Sequence, residues 1–409
     1  MVQIAIMGHG VVGSGFAEVI IGNSENITNH AKEEIKIKYI LDLRDFPEAP
    51  YAEKFIKDFN IILNDPEVRV VVETMGGVHP AYEFVKSCLE AGKSVATSNK
   101  ELVAAKGAEL LAIAKEKNVN FLFEASVGGG IPIIRPMSQC LAANEVYDIA
   151  GILNGTTNFI LTKMIKEQMG FDDALALAQK LGYAEKNPEA DVEGHDACRK
   201  ICILAALAFQ QHIYPENVHT EGISKLCAED VAFAASDNYV IKLIGRARKS
   251  QNGLIEAWVA PTLVPSDCQL STVDGVFNGI IVWGDVLGEV MFYGKGAGKL
   301  PTASAVVADV IDCVKHLKSR KYLFWKDSDG TEVENYRDSK TALYVRAKGS
   351  DCKKAIEELY KEVKYLSREG QLSDEVAFIT KTCTIAEHEH ILEQLATSGV
   401  EVLGQLRVF

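Results

Sequence analysis

Short apolar segments alternate with helical patterns over the first part of the chain. Strands are predicted where apolar residues run almost without interruption, as they do in buried parallel strands, at residues 3–7, 35–41, 68–73, 94–97 and 120–123. Strands that alternate with helices in this way form a doubly wound parallel sheet. The pattern therefore predicts an α/β domain over residues 1–132.

The pattern changes after residue 132. Further elements are predicted there, with strands at 148–153, 239–249, 254–264, 280–284 and 288–293 and helices at 157–169, 172–181 and 194–211. They indicate an α+β domain with a mixed sheet and covering helices over residues 133–325. A helix at about 302–318 follows a glycine-rich loop, and we expect it to return to the first domain.

A third pattern occupies the last part of the chain. The polar stretch 326–340 is predicted to be a linker, and residues 341–409 follow the order β-α-β-β-α-β of a ferredoxin-like module. This module is expected to be a self-contained unit without a dense cluster of catalytic groups. His388 and His390 lie on one of its predicted helices, and we expect them to be solvated rather than to bind a ligand.

A glycine motif directly follows the first strand. It reads Gly8-His9-Gly10-Val11-Val12-Gly13, and a helix is predicted to begin at Ser14 or Gly15. Such glycines permit a tight turn and let the backbone approach a pyrophosphate at the helix N-terminus. Between a strand and a helix the motif is specific, so it predicts a Rossmann-type dinucleotide-binding domain. His9 stands where a small residue is common, and it would either crowd the pyrophosphate or add a hydrogen bond.

The end of the second strand carries two signals about the cofactor. Asp42 and Arg44 both lie where the adenosine ribose would bind. An acid there favours the 2′-hydroxyl of NAD, and an arginine favours the 2′-phosphate of NADP. Because both are present, the choice between NAD and NADP stays open.

Residues 182–200 combine an acid-rich loop with the start of a helix that is apolar on every face and is therefore predicted to be buried. Asp196 and Lys200 lie four residues apart on this helix, so they share one face. Most such pairs lie on the surface and contribute little to stability. A buried ion pair is costly, and its presence therefore indicates a function and a candidate active site. Lys100, at the carboxyl end of the fourth strand, lies where ligands bind in such sheets, or is a solvated lysine at a helix start.

Composition and charge disfavour several classes of partner. The formal net charge of −13 disfavours nucleic acid and anionic membrane surfaces, and no apolar run approaches the length of a membrane span. The first residues show no signal peptide. Nine cysteines without a Cys-x-x-Cys motif fit reduced thiols in a cytoplasmic enzyme. The spacing of His195, Cys198 and Cys202 matches no standard zinc pattern.

Several segments together resemble the homoserine dehydrogenases, of the long, regulated bacterial type with a C-terminal ACT domain. The resemblance covers essentially the whole chain, and it rests on residues 8–15, Thr97-Ser98-Asn99-Lys100, 124–132, Asn154-Gly155-Thr156-Thr157-Asn158 and 182–200. The last two segments are highly specific, because few other families combine them. The resemblance implies reversible hydride transfer between NAD(P)H and aspartate 4-semialdehyde to give homoserine, a step toward threonine, methionine and isoleucine.

The resemblance also implies roles for individual residues. Lys200 would donate a proton to the forming alkoxide, and Lys100 would be a second catalytic lysine. Burial makes a lysine a better acid, but which of the two is the proton donor stays open. Glu185, Asp191 and Asp196 would bind the substrate in a site lined by Gly155, Thr156 and Tyr183. Cofactor contacts would fall on Gly8, Gly10, Val11, Val12, Gly13, Met75, Lys100, Gly182 and Gly298. A sodium ion would be held largely by the main-chain carbonyls of Glu124, Val127, Gly129 and Ile131.

Assembly and regulation are expected on the same basis. The resemblance implies a homodimer or homotetramer that pairs through the second-domain sheet, and it motivates the hypothesis that threonine binds the ACT module and inhibits the enzyme. Two alternatives are a dehydrogenase of another amino-acid-like substrate and a nucleotide- and amino-acid-binding sensor without turnover. The acids of residues 182–200 together with Lys200 argue against the first, and the presence of both Lys200 and Lys100 argues against the second.

Overall fold

The computed structural model describes residues 1–250, 252–320 and 323–409. Strands of the first domain are β1 (Val2–Met7), β2 (Ile35–Leu41), β3 (Phe55–Ile56), β4 (Val68–Glu73), β5 (Ser94–Thr97) and β6 (Phe121–Leu122). Its helices are α1 (Val11–Gly22), α2 (Ser24–Ala31), α3 (Phe59–Asn64), α4 (Ala81–Glu90) and α5 (Lys100–Lys117). All strand pairs are parallel and the order is β3-β2-β1-β4-β5-β6. This confirms the predicted doubly wound sheet of a dinucleotide-binding domain.

The central strands are apolar because the sheet has no face in contact with solvent. Ile4, Ile6, Val70 and Val72 are completely buried, as expected for parallel strands covered on both sides. The predicted start of the first helix at Ser14 or Gly15 was wrong. Helix α1 begins at Val11 with Gly10 as its N-cap, because Gly8 takes the sharp bend with a φ of +96° and the turn is complete two residues later.

The central domain has the mixed sheet and covering helices that the pattern predicted. Its strands are β7 (Val146–Ile152), β8 (His219–Thr220), β9 (Tyr239–Lys249), β10 (Ile255–Pro265), β11 (Phe277–Gly284) and β12 (Gly288–Lys295). Its helices are α6 (Gly155–Glu167), α7 (Phe171–Lys180), α8 (Glu189–Val192), α9 (His195–Phe209), α10 (Ala228–Ser236) and α11 (Lys299–Lys315). Helix α11 returns to the first domain as predicted, since a Cβ at Gly15 of α1 would lie 2.8 Å from Lys299 Cγ.

The C-terminal module has the predicted β-α-β-β-α-β order, flanked by a short additional strand pair. Its elements are β13 (Lys340–Thr341), β14 (Leu343–Lys348), α12 (Cys352–Tyr360), β15 (Val363–Leu366), β16 (Glu375–Thr380), β17 (Cys383–Thr384), α13 (Ile385–Thr397) and β18 (Glu401–Val408). The four main strands are antiparallel in the order β18-β14-β16-β15, which is ferredoxin-like.

The expectation that this module is self-contained was wrong. Strand β18 pairs in parallel with β10 of the central domain, through Thr262 with Arg407 and Leu263 with Val408. The module and the central domain therefore share one ten-stranded sheet. An edge strand leaves backbone N–H and C=O groups unpaired, and the pairing of β10 with β18 provides hydrogen-bond partners for groups at both edges.

The polar stretch 326–340 lies along the central domain. The backbone N–H of His212 donates to the carbonyl of Lys326 at 2.8 Å, and that of Ile255 donates to Glu332 at 2.8 Å. A 3₁₀ turn at Tyr336–Asp338 follows, and the Tyr336 ring stacks on His219. The backbone of this segment is thus bonded to the central domain before the module begins.

The prediction that His388 is solvated was wrong, whereas His390 is exposed as expected. His388 is fully buried, with Nε2 2.9 Å from the carbonyl oxygen of Thr341 and 3.2 Å from Cys383 Sγ. Helix α13 turns this side chain under the short strand pair β13–β17, which sequence periodicity alone does not reveal.

Within the described ranges, no helix has both the length and the apolar character needed to cross a membrane. All nine cysteines carry free thiols.

Candidate active site

Four segments bring charged and polar side chains together where the first and central domains meet. Lys100 begins α5 immediately after β5, and Asn154 follows β7 as the N-cap of α6. Asp191 lies in the short helix α8, and Asp196 and Lys200 occupy the first turns of α9. Residues far apart in sequence thus form one cluster, which includes both predicted lysines and two of the predicted acids.

Asp196 is the centre of this cluster, because its carboxylate pairs with both lysines. Its Oδ2 accepts a hydrogen bond from Lys200 Nζ at 2.7 Å, and its Oδ1 lies 2.6 Å from Lys100 Nζ. Lys200 Nζ also donates to the carbonyl of Leu153 at 2.8 Å. Asp196 and Lys200 share a helix face as their four-residue spacing predicted, and Lys100 reaches the same carboxylate from the other domain.

The two lysines differ in exposure and in acidity. The Lys200 side chain is 10% exposed and that of Lys100 is 37% exposed. Burial lowers the pKa of Lys200, helped by the positive charge of Lys100 and opposed by Asp196. Burial also acts on Lys100, but its pairing with Asp196 outweighs that effect and raises the pKa of Lys100. Lys200 is therefore the lysine that releases a proton more readily.

The two acids are also shifted in opposite directions. Burial alone would raise the pKa of Asp196, but Lys200 and Lys100 hold it well below its usual range. Burial and the negative charge of Asp196 raise the pKa of Asp191. The two lysines thus favour the charged form of Asp196, and Asp191 is the carboxylate that takes up a proton more readily.

Asn154 connects these acids, and the predicted site residues did not include it. Its Nδ2 donates to Asp191 Oδ1 at 2.6 Å and to Asp196 Oδ2 at 2.8 Å. Its Oδ1 accepts from the backbone N–H of Thr157 at 2.9 Å and caps α6. The signal in the sequence was an asparagine between a strand and a helix, a common N-cap pattern, but that pattern does not reveal the two carboxylates.

The remaining predicted substrate residues lie around the start of α6 and in the loop after α7. Thr156 Oγ1 donates to the carbonyl of Tyr183 at 2.6 Å, and the Tyr183 ring contacts Phe159. A Cβ at Gly155 would lie 2.8 Å from the Val276 carbonyl oxygen, so the backbone there is closely packed. Glu185 is exposed, and its backbone carbonyl accepts a hydrogen bond from Gln179. The structure does not place the Glu185 carboxylate in the lysine cluster.

A cavity of about 430 Å³ opens at the glycine motif of the first domain, and Gly8, Gly10 and Met75 line it. A Cβ at Gly10 would meet nothing within 4 Å, whereas one at Gly13 would lie 2.0 Å from the Gly8 carbonyl oxygen. Gly13 is thus required for close packing, and Gly10 leaves room in front of the helix start. The predicted Val11 and Val12 begin α1, where backbone N–H groups lack helical partners.

Six predicted cofactor residues lie outside the lining of this cavity, namely Val11, Val12, Gly13, Lys100, Gly182 and Gly298. Gly298 has a φ of +125° and caps the start of α11, which packs on α1. Gly182 has a φ of +77° in the exposed turn after α7. Both glycines take backbone conformations that other residues rarely adopt.

Asp42 and Arg44 interact with each other at the edge of the cavity. Asp42 accepts the backbone N–H of His9 at 2.8 Å, and Arg44 Nε and a terminal guanidinium nitrogen donate to it at 3.0 and 2.9 Å. The Arg44 side chain remains 63% exposed. The His9 ring packs against Phe46 and bonds to the Tyr51 hydroxyl at 3.1 Å. His9 thus packs with neighbouring aromatic side chains, which neither of its two predicted roles included.

Glu73 is a second residue that the predicted site did not include. It lies completely buried at the end of β4 and accepts the backbone N–H of Met75 at 2.7 Å and the hydroxyl of Thr97. Burial raises the pKa of Glu73. This carboxyl group fixes the turn that presents Met75 to the cavity. Its signal was an acid at the end of an otherwise apolar strand.

The predicted sodium site lies in a buried turn between the two domains. Gly128 and Gly129 have positive φ angles there, and Glu124, Val127 and Ile131 are buried. The Glu124 carboxylate accepts backbone N–H groups of residues 133–135 at 2.6–2.8 Å. Among the described side chains, no His, Cys, Asp or Glu cluster could hold a metal ion, so a cation in this turn would depend on main-chain carbonyls.

Two family models match the chain. The one described as "Homoserine dehydrogenase, NAD binding domain" matches residues 8–124, and "Homoserine dehydrogenase" matches residues 132–311. A homoserine dehydrogenase of Pseudomonas aeruginosa is 44% identical over 319 residues, which cover 78% of this chain and 73% of the relative. The crystal structure of a homoserine dehydrogenase from Thiobacillus denitrificans is 35% identical with a TM-score of 0.91, and the match covers 100% of this chain and 98% of that chain.

A third relative was solved with a cofactor. It is a hyperthermophilic archaeal homoserine dehydrogenase in complex with NADPH, 29% identical with a TM-score of 0.64, and the match covers 76% of this chain and 97% of that chain. Fold and site together define an NAD(P)-dependent oxidoreductase that acts on a CH–OH group. Both family models and the relatives then identify the family, and the chain belongs to the homoserine dehydrogenases.

Proposed function

We propose that this chain interconverts L-aspartate 4-semialdehyde and L-homoserine in amino-acid biosynthesis, and that Lys200 transfers the proton. The main support is that the carboxylate of Asp196 lies between Lys200, whose pKa is lowered, and Lys100, whose pKa is raised. A dehydrogenase needs one group that exchanges a proton with the substrate oxygen and others that hold the substrate, and this cluster supplies both.

Lys200 is suited to the proton transfer. The nicotinamide of the bound cofactor supplies or accepts the hydride, and the oxygen of the substrate gains or loses a proton. An ammonium group has three N–H donors, and Lys200 uses two of them on Asp196 and the Leu153 carbonyl. Its third N–H is left for the substrate oxygen. Because burial lowers its pKa, Lys200 gives up that proton more readily than an exposed lysine would.

Lys100 and the acids would hold the substrate. Lys100 keeps its charge, so it suits the substrate carboxylate or the developing oxyanion. Asp191 and Asp196 are the natural partners of the substrate ammonium group. Glu185 would join them from the loop after α7, and Gly155, Thr156 and Tyr183 would line the site.

The cavity at the glycine motif fits the pyrophosphate of a dinucleotide, because a Cβ at Gly10 would point into open space beside the start of α1. We infer that Gly8, Gly10, Val11, Val12, Gly13, Met75, Lys100, Gly182 and Gly298 hold the cofactor. Arg44 and Lys57 both line the cavity. Two cations near the ribose position favour the 2′-phosphate of NADP, and the pairing of Asp42 with Arg44 makes that acid less available to a hydroxyl.

The buried turn also fits a sodium ion held by the carbonyls of Glu124, Val127, Gly129 and Ile131. Hard cations bind oxygen ligands, and the positive φ angles of Gly128 and Gly129 permit the backbone to curl around a small ion. The ion would fix the turn and take no part in proton transfer.

The chain is further proposed to be a cytoplasmic homodimer or homotetramer whose C-terminal ACT module binds threonine and inhibits the enzyme. Nine free thiols support a reducing compartment, and the ferredoxin-like topology supports the ACT assignment. Sedimentation should show an assembly at micromolar concentration, and a monomer would contradict this. Threonine should slow homoserine oxidation by the full chain, and an unchanged rate at saturating threonine would contradict that part.

The test of the proposed reaction is homoserine-dependent reduction of NADP and NAD at alkaline pH by the wild type and by Lys200→Met. General acid–base catalysis contributes about 10²- to 10⁴-fold, so kcat should fall by that factor. Lys93→Met is the matched control, because Lys93 is also a buried lysine with a pKa lowered by burial, and its ammonium group donates to the carbonyls of Asp65 and Val68. Its kcat should stay near that of the wild type.

Two results would contradict the proposal. A wild type that reduces neither cofactor with homoserine would exclude the reaction. A Lys200→Met variant that keeps its rate, alongside a Lys100→Met variant that loses it, would transfer the proton role to Lys100. Thermal unfolding of all variants shows whether a loss of rate reflects a loss of fold.

A further inference from the structure

A second cleft lies where the C-terminal module meets the central domain, and its volume is about 90 Å³. Strands β8 and β18 both pair with the same edge of β10, His219 with Trp258 and Arg407 with Thr262. Side chains from these two strands and from α13 line the space between them. Pockets for drug-sized ligands occupy about 300 Å³ or more, so this cleft suits a much smaller molecule than a dinucleotide.

An arginine in this cleft has one donor without a hydrogen-bond acceptor. Arg407 is 3% exposed, and its Nε has no partner in the described part of the chain. One terminal nitrogen donates to Ser339 Oγ at 2.6 Å, and the other forms an ion pair with Glu256 Oε1 at 3.7 Å. The rings of Trp258 and Tyr336 flank the guanidinium at 4.5 and 4.8 Å and fix its plane. A buried guanidinium N–H without an acceptor is costly, which points to a ligand that offers an acceptor oxygen, such as a carboxylate.

Carboxylates complete the lining. Glu221 Oε1 accepts from the Tyr336 hydroxyl at 3.0 Å and lies 2.7 Å from His219 Nε2. Burial acts to raise the pKa of Glu221, but His219, Tyr336 and the charge of Arg407 together outweigh it and lower the pKa, which favours the ionised form. Glu389 of α13 lines the same cleft. An arginine for a carboxylate and acids for an ammonium group match the two ends of an α-amino acid.

We propose that this interdomain cleft binds a small zwitterionic amino acid, with its carboxylate on Arg407 and its ammonium group at Glu221, and that occupancy acts on the start of α9. The inference rests on the proposed function for the reaction that is affected. It assigns the effector to the junction of the module with the central domain rather than to the module alone.

The path from the cleft to the lysine cluster is short. The segment 219–223 that carries Glu221 packs directly on the acid-rich loop before α9. The backbone N–H of Ile223 donates to the Val192 carbonyl at 2.8 Å, and a Cβ at Gly222 would lie 2.4 Å from the same oxygen. A Cβ at Gly194, the N-cap of α9, would lie 3.1 Å from the Glu221 carbonyl oxygen. Because the Ile223–Val192 hydrogen bond and these close backbone contacts join the two segments, a shift of the backbone at Glu221 displaces the loop that carries Asp191.

The test uses the full chain and calorimetric titration with L-threonine and with each of the other standard α-amino acids. L-threoninamide, which lacks the carboxylate, is the matched ligand. We expect at least one amino acid to bind, and Arg407→Gln to weaken that binding at least about tenfold, the effect of losing one hydrogen bond between charged groups. Glu221→Gln should weaken it too, and since that side chain is 35% exposed it is the variant less prone to misfold. Lys381→Gln, an exposed cation of the same module paired with Glu362, should bind as the wild type does.

Homoserine turnover separates failure of the site from failure of the proposed function. A wild type that oxidises homoserine but binds no amino acid would overturn the inference and leave the proposed function intact. Unchanged affinity in both Arg407→Gln and Glu221→Gln would overturn it as well, because the ligand would then bind elsewhere. Amino-acid binding that depends on Arg407 in a chain without homoserine turnover would refute the coupling and the proposed function together.

The coupling has its own measurement. If the amino acid lowers the affinity for homoserine by some factor, saturating homoserine must lower the affinity for the amino acid by the same factor. A factor clearly different from one in both titrations would support coupling between this cleft and the lysine cluster. Amino-acid affinity that is indifferent to homoserine would refute it.

Discussion

Asn154 has two tasks that a single substitution can separate. Its carboxamide nitrogen holds Asp191 and Asp196 together, and its oxygen caps α6 through the backbone N–H of Thr157. Serine is also a good N-cap but cannot donate to both acids. Asn154→Ser should therefore keep the cap and lose the bridge, while Asn154→Ala should lose both.

The expected magnitudes follow from these contacts. A hydrogen bond to a charged group contributes about 1.5–3 kcal/mol, so loss of one that aligns the substrate should lower kcat/KM roughly tenfold to hundredfold. Loss of an N-cap costs about 0.5–2 kcal/mol. The free energy of unfolding of Asn154→Ala should fall by that amount, so this variant should melt at a lower temperature. Asn154→Ser should melt near the wild-type temperature.

The pH profile gives a sharper readout, because Asn154 acts on the charge of Asp191. Burial raises the pKa of Asp191, and the hydrogen bond from Asn154 counteracts it. In the proposed function the substrate ammonium group binds ionised Asp191, so we expect the rate to be full above this raised pKa and to fall as the pH drops through it. In Asn154→Ser the pKa of Asp191 rises further, and the acid limb of kcat/KM for homoserine oxidation should move to higher pH. An unmoved acid limb, or a serine variant as unstable as the alanine variant, would refute this reasoning.

Three further substitutions test the cofactor site. Arg44→Ala should lower kcat/KM for NADP roughly tenfold or more while affecting NAD little, since only NADP offers a 2′-phosphate; an equal loss with both cofactors would contradict the proposed preference. Gly10→Ala has nothing within 4 Å of its Cβ, so its melting temperature should match the wild type while calorimetry shows weaker NADP binding. Gly13→Ala places its Cβ 2.0 Å from the Gly8 carbonyl oxygen, so it should be destabilised by about 1–3 kcal/mol, and wild-type stability would contradict the packing argument.

Sequence patterns predicted the parts of the site that depend on local spacing. The doubly wound sheet follows from apolar runs separated by helices, and the contact of Asp196 with Lys200 follows from four residues on a helix. The sharing of Asp196 by Lys100 does not follow, because those residues are far apart in sequence and meet only when the two domains pack. The bridging role of Asn154 was hidden for the same reason.

The C-terminal module shows a different limit. Alternation of apolar and polar residues predicts that a strand exists and which face it buries, but it does not say which edge the strand will pair with. Strand β18 was assigned correctly as an element, yet its pairing with β10 was missed, and with it the cleft at Arg407. The burial of His388 likewise depends on β13 and β17, strands of two residues that are too short to show a period.

The shared carboxylate resolves a conflict in the chemistry of Lys200. An aspartate that positions a lysine also raises its pKa and makes it a poorer acid. Burial lowers the pKa of Lys200 most strongly, Asp196 opposes this, and Lys100, which lies on the other oxygen of Asp196, adds to the lowering. Besides its proposed role in holding the substrate, Lys100 therefore offsets part of the rise in the Lys200 pKa that Asp196 causes. Since Lys100 comes from the dinucleotide-binding domain and Lys200 from the central domain, the acidity of Lys200 depends on how closely the two domains pack.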